Sequence, residues 1–258
     1  MKRSHLIITI LLFILGALCF VFFEALQTKM LEDPLANKLL CGFISRVGLS
    51  FVFIWLLYIA GGRDFLVFTK RFLIFLAWSL PCFMVALVNF PYSTVISGVV
   101  TIDRMDLLGL YILYVFGVAL LEELIFRGVL LIIVKDLFKY KKHAPFLIVL
   151  VSAAIFSLSH FTNLLMGAGI GDVLLQCSYT FLIGATLTVV MLKTKNIWLC
   201  ITIHTIFNFG GLLIVSEVAS GNNWDIWFWV LTIVSGLLCA GHIIYSLLKL
   251  DRDYVPGN

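Results

Sequence analysis

Six polar residues set into long apolar runs carry the chemistry open to this sequence. They are Glu122, Glu123 and Arg127 in one run, His160 in a second, and His204 with Asn208 in a third. The first run, Leu107 to Val134, is otherwise almost entirely hydrophobic and long enough to cross a bilayer as a helix. At mid-membrane each charge costs about 2.5–3.5 kcal/mol, so three unpaired charges would cost roughly 8–10 kcal/mol. Each neighbouring Leu, Ile or Val returns only about half a kcal/mol. Glu123 and Arg127 are four apart with the acid N-terminal, the order an i,i+4 pair prefers. Glu122 lies about 100° round the helix and is left over. An unpaired carboxylate at membrane depth marks a functional site unless it belongs to a structural ion pair between helices. His160 follows Phe156 by four residues and Asn208 follows His204 by four, so each pair shares a helix face. A membrane histidine also serves as a packing residue that hydrogen-bonds across helices. Gly210 and Gly211 would let another backbone approach the third run.

Converged, these are the residue types of hydrolysis, and two schemes fit them. In one, Glu122, His160 and His204 hold a divalent metal, zinc by type, since two His, one Glu and a water form a standard catalytic set. The metal would lower the pKa of its water and polarise a carbonyl. In the other, Glu122 is a general base and His160 helps to orient and activate the water. His204 and Asn208 then donate to the tetrahedral oxyanion. Asn is a weak zinc ligand and a good oxyanion donor, which favours that role for Asn208. In both schemes Arg127 orients Glu123 and partly neutralises the site. Ser157 and Ser159 lie near His160 without a readable nucleophile geometry, and the HExxH pattern is absent. A proton relay would use the same residues, but no inverted repeat or pair of broken helices points to a transporter.

The elements that must position these groups are membrane helices. Of 258 residues, 62% are hydrophobic and 12% charged, against about 45–50% and 25% for a soluble domain. Eight spans are expected, at about 6–26, 39–60, 72–92, 107–134, 145–165, 172–192, 196–216 and 226–248. The fold class is therefore all-α, a polytopic membrane helical bundle forming a single domain over 1–258. A cytoplasmic N-terminus assigns thirteen Lys and Arg to inside segments and three, Lys29, Lys38 and Arg104, to outside loops. Both termini are thus expected in the cytoplasm, with His160 towards the outer end of its span. The first span reads as a retained anchor, because its apolar run is long and no small-x-small cleavage site follows. Pro81 is expected to kink the third span, and Arg46 to pack or snorkel in the second. The six cysteines include no CxxC pair and indicate neither a disulfide frame nor a thiolate metal site. Lys135 to His143 alternates basic and aromatic residues and reads as an interfacial loop against anionic headgroups. No soluble domain accompanies it, so nucleic acid is not an expected partner. The bilayer and a peptide or membrane-protein substrate are.

Glu-Glu-x-x-x-Arg at 122–127, Phe-x-x-x-His at 156–160 and His-x-x-x-Asn at 204–208 follow one another on successive apolar runs. In that order the motifs resemble the CAAX protease and bacteriocin-processing family, also called Abi, similar in core to type II CAAX prenyl endopeptidases. The resemblance covers a core of roughly 107–216. It implies an eight-helix intramembrane protease of a bacterial plasma membrane with its site in a cavity among the helices. It further implies that Glu122 is the main acid/base, that His160 shares water activation, and that His204 and Asn208 form the oxyanion side. Both metal-dependent and metal-free glutamate mechanisms are associated with the family. Members also confer immunity to bacteriocins, which makes a non-catalytic immunity or assembly factor the alternative expectation.

Overall fold

Local sequence signals set where each helix begins. In a computed structural model, which describes residues 14, 29–67, 71–165, 167–222 and 224–256, Asp33 opens the first helix, α1 (Pro34–Ile59). Its carboxylate accepts from the Ala36 N–H, and Pro34 occupies the first turn, where a missing N–H costs nothing. The expected span at 6–26 lies, but for residue 14, outside the described residues. Two short helices follow, α2 (Phe72–Trp78) and α3 (Leu80–Val88), then one more, α4 (Tyr92–Ile96). The fourth apolar run forms α5 (Leu108–Glu123), a π-helical stretch (Leu124–Leu130) and α6 (Leu131–Phe138). Next come α7 (Ala144–Ser159), extended by a 3-10 turn (His160–Leu164), and α8 (Ile170–Thr194). Asn196 caps α9 (Ile197–Gly211) by accepting from the Trp198 and Leu199 N–H groups. Asp225 caps α10 (Ile226–Arg252) in the same way, accepting from Phe228.

The described residues are mostly helical, and among them four helical stretches are long and apolar enough to cross a membrane: Pro34–Ile59, Ala144–Leu164, Ile170–Thr194 and Ile226–Arg252. The other expected spans within the described residues are helical but shorter or interrupted. The third breaks at Ser79 rather than bending at Pro81. The break places Pro81 in the first turn of α3, where its absent N–H and its ring offend nothing, and the Ser79 hydroxyl donates to the Phe75 carbonyl. The fourth runs on to Phe138 through its π stretch, so Lys135 and Asp136 are helical rather than part of a loop. The seventh is only Ile197–Gly211. The 3-10 turn carries the fifth course on to Leu164, which sets His160 about one turn inside its end.

Helix α5 is the centre of the packing. It lies against α1 and α9, α7 pairs with α8, and α3 contacts both α9 and α10. A large apolar core surrounds the π stretch, with Phe53, Leu57, Leu121, Leu124, Phe156, Leu187 and Ile197 all buried. A smaller cluster, including Leu39, Tyr111, Val115 and Leu213, closes the opposite end. There strands β1 (Thr101–Ile102) and β2 (Ala219–Ser220) pair antiparallel. Arg104 bridges Asp33 at 2.7 Å and Asp106 at 2.8 Å beside them, and Lys38 meets Glu217 at 2.7 Å. Arg46 does not reach out of the bundle. It is buried, with its guanidinium 5.0 Å from the Tyr114 ring centroid on α5 and donating to the Gly42 carbonyl. Gly117 admits the close approach of α1 to α5, since a Cβ there would lie 3.2 Å from the Phe43 ring.

Candidate active site

The polar residues of three helices meet where α5 gives way to the π stretch. Glu123 ends α5, and Arg127 lies within the wider turns that follow. Such π stretches interrupt helices mostly at functional positions. The expected i,i+4 pair is formed: Arg127 Nη1 donates to Glu123 Oε1 at 2.9 Å, and neither side chain is more than 1% exposed. Arg127 also donates to the Gly184 carbonyl on α8 at 3.3 Å, and its guanidinium lies 4.3 Å from the Phe156 ring centroid. A buried charge of this kind is tolerable only with such partners.

His204 reaches the pair from α9. Its Nδ1 is 2.7 Å from Glu123 Oε1, and its Nε2 is 3.6 Å from Glu122 Oε2. A carboxylate oxygen held by Arg127 accepts, so Nδ1 of His204 carries a proton and donates it to Glu123. Glu123 thus fixes the ring, and Nε2 faces Glu122. Glu122 is therefore not isolated, as its position on the helix suggested, but it is the accessible member of the cluster: its side chain is 26% exposed, against 4% for His204 and 0% for Glu123. The second oxygen of Glu123, Oε2, is buried and has no hydrogen-bond partner among the described residues.

His160 joins through an aromatic ring. Its Nδ1 lies 3.0 Å from the Phe156 carbonyl, an oxygen that can only accept, so Nδ1 bears a proton, which in the neutral ring leaves Nε2 as the acceptor. The Phe156 ring meets His160 edge-on at 5.1 Å and His204 edge-on at 6.0 Å, and also touches Phe126 at 4.9 Å. One phenyl ring thus spaces both imidazoles and the guanidinium. Gly184 makes room for it: a Cβ at that position would lie 3.0 Å from the ring and 3.3 Å from the Ala153 Cα. No hydrogen bond or ion pair joins His160 to Glu122 among the described residues. Asn208 lies one turn beyond His204, half-buried, with no hydrogen bond from its amide among the described residues.

The depth of α9 is set from its far end. Tyr111 on α5 donates to the Phe209 carbonyl at 2.6 Å, and the Asn89 amide donates to the Phe207 carbonyl at 2.7 Å. Gly210 permits this approach, because a Cβ there would overlap the Asn89 carbonyl and come within 2.6 Å of the Phe90 Cα. The sequence singled out the glycine pair and the Phe156 spacing. It gave no sign of Tyr111, Asn89 or Gly184, whose roles depend on which helices are neighbours. His242 stays apart from the site, its ring tilted against Trp78 with centroids 4.7 Å apart.

Among the described residues no three His, Cys, Asp or Glu side chains converge on a point that one cation could occupy. His204 already commits Nδ1 to Glu123, and both His204 and His160 pack edge-on with the Phe156 ring.

Residues 104–210, which contain all three motifs, match the family model described as type II CAAX prenyl endopeptidase Rce1-like. Over that stretch the chain resembles this family. No curated protein and no solved structure gives a significant match. The matched stretch begins at Arg104, which tethers Asp33 before α1, and ends at Gly210, against which Asn89 packs. The residues that hold this Rce1-like core in place therefore reach beyond it in the chain.

Proposed function

We propose that the protein is an intramembrane peptidase that hydrolyses peptide bonds of membrane-associated substrates. The observation that carries this reading is the division of labour in the cluster. Glu123, Arg127 and His204 are buried and tied to one another, while Glu122 is accessible and faces the His204 Nε2. The match of residues 104–210 to the Rce1-like family model supports the same activity. In the proposed reaction Glu122 takes a proton from water as the oxygen attacks the substrate carbonyl. The bare Nε2 of His160 accepts the water's other hydrogen and orients it. The oxyanion receives hydrogen bonds from Nε2–H of His204 and the amide of Asn208. For His204 to donate from both nitrogens its ring must be the imidazolium, and the Glu123 carboxylate then faces that charge. Glu122 finally passes its proton to the departing amine, so the bond broken is C–N and the proton count balances.

The membrane frame proposed with this reading is eight spans in a bacterial plasma membrane with both termini cytoplasmic, following the Lys and Arg distribution. The test is cleavage in proteoliposomes of a quenched prenylated CaaX peptide and of a library of unprenylated membrane peptides. Glu122→Ala, His160→Ala and His204→Ala should each abolish cleavage while leaving the protein inserted and monodisperse. Activity retained in any two contradicts the assignment, and unchanged biological effect in all three favours an immunity or assembly factor. Metal analysis of the active preparation separates the two hydrolytic schemes. The reading here expects no stoichiometric metal; zinc present in the wild type and lost in both Glu122→Ala and His160→Ala would establish a metallopeptidase.

A further inference from the structure

The basic end of the bundle holds a cavity that the peptidase reading leaves unused. It has a volume of about 530 Å³, and its walls include Gly61, Phe65, Ile132, Lys135, Ile148 and Tyr254. The turn after α1 forms one side. It is pressed onto α6, since a Cβ at Gly62 would lie 2.7 Å from the Ile132 side chain. The end of α10 and the chain after it form the other side, where Asp251 meets His143 at 2.7 Å and the Tyr254 hydroxyl donates to the Lys139 carbonyl at 2.7 Å. The cavity is therefore a built feature, closed by three separate parts of the chain.

Its charges are unequally matched. Lys139 is tied to Asp136 at 2.8 Å, but Lys135 has no hydrogen bond or ion pair among the described residues, although it is partly buried. Lys195, exposed after α8, adds a second positive field at Lys135. Sequestering an ammonium from water without an anion is costly, and an anion seated beside Lys135 would remove that cost. Asp136 and Lys139, paired with each other, also line the cavity, Ala60, Phe65, Ile132 and Ile148 supply its apolar wall, and Lys135 directly follows the apolar run that ends at Val134. The cavity thus sits where phosphate groups lie at a membrane surface, with a cation for the phosphate and apolar side chains towards the hydrocarbon.

We infer that this cavity binds the headgroup of an anionic phospholipid, with its phosphodiester against Lys135. None of the residues lining the cavity belongs to the candidate active site. A free phosphate compound has the same charge, and the experiment distinguishes the two. The full chain is placed in nanodiscs containing phosphatidylglycerol and phosphatidylcholine, and retained lipid is counted by native mass spectrometry. One phosphatidylglycerol per chain should be retained in preference to phosphatidylcholine. Lys135→Gln should weaken retention about five-fold, the effect of about one interfacial lysine, and Lys135→Arg should restore it. Lys142→Gln, an exposed lysine of the same basic stretch outside the cavity, should change retention less than two-fold. Equal losses in Lys135→Gln and Lys142→Gln would overturn the site in favour of a diffuse surface field. Displacement of the lipid by glycerol 3-phosphate would overturn the lipid in favour of a soluble anion. The wild-type preference for phosphatidylglycerol needs no variant, and its absence would overturn the inference outright.

Discussion

Replacing Arg127 by Met removes the charge that holds the cluster together while keeping an apolar side chain in its place. Three contacts go: the 2.9 Å pair with Glu123, the 3.3 Å bond to the Gly184 carbonyl, and the cation over Phe156 at 4.3 Å. What remains is a fully buried Glu123 carboxylate with one oxygen already unpartnered and the other bonded only to His204. Stranding one member of a buried pair costs about 3–5 kcal/mol, whereas removing both members together is often nearly neutral. Arg127→Met should therefore lose about 3–5 kcal/mol, and Glu123→Leu with Arg127→Met should recover most of it. Unfolding by SDS in mixed micelles, followed by tryptophan fluorescence, measures both. Peptidase activity should stay lost in the double variant, because nothing then fixes the His204 ring. A loss below about 1 kcal/mol in Arg127→Met would refute the reasoning. So would a double variant as unstable as the sum of its parts, since independent sites add and coupled ones do not.

Other variants probe the supports of the site. Gly184→Ala pushes a methyl into Phe156 and should cost about 1–3 kcal/mol by overpacking; it should lower kcat more than it alters KM, measured in proteoliposomes. Gly210→Ala should cost a similar 1–3 kcal/mol in the same unfolding assay, because the overlapping group is Asn89 backbone that cannot swing away. At the opposite end, hydrogen bonds from Arg104 and then from the Ala36 N–H hold the Asp33 carboxyl below its ordinary 3.8. The unfolded chain binds that proton more readily, so the stabilisation is full above about pH 4 and fades as pH falls through the lower folded value. Wild type should therefore exceed Asp33→Asn in stability near neutral pH, and the gap should shrink on acidification below pH 4.

Much of the helical course was legible because apolar runs and caps are local signals. The Glu123–Arg127 pair was legible for the same reason, being fixed by one turn of one helix. The partner of Glu122 was not, since the approach of His204 depends on how far α9 slides along α5, and Tyr111 and Asn89 set that depth from elsewhere in the chain. Phe156 stood in plain view as the start of a motif, yet its work as the spacer of two imidazoles and a guanidinium needs the packing of α7 on α8 at Gly184. The break at Ser79 shows the limit of reading a proline as a kink. A proline can be accommodated by starting a new helix just before it, and the chain does so. The basic stretch after Val134 was read as a loop from its charges, but Lys135 and Asp136 continue the helix, which is why Lys135 lines a cavity.

The central claim is that Glu122 is the base and Glu123 its buried support. The most direct measurement is the cleavage rate of Glu122→Gln relative to wild type in proteoliposomes, on protein of unchanged elution and unfolding midpoint. Loss of a general base predicts a fall of about 10²–10⁴ in kcat. A Glu122→Gln protein within ten-fold of wild type would contradict the account and move the base to another residue.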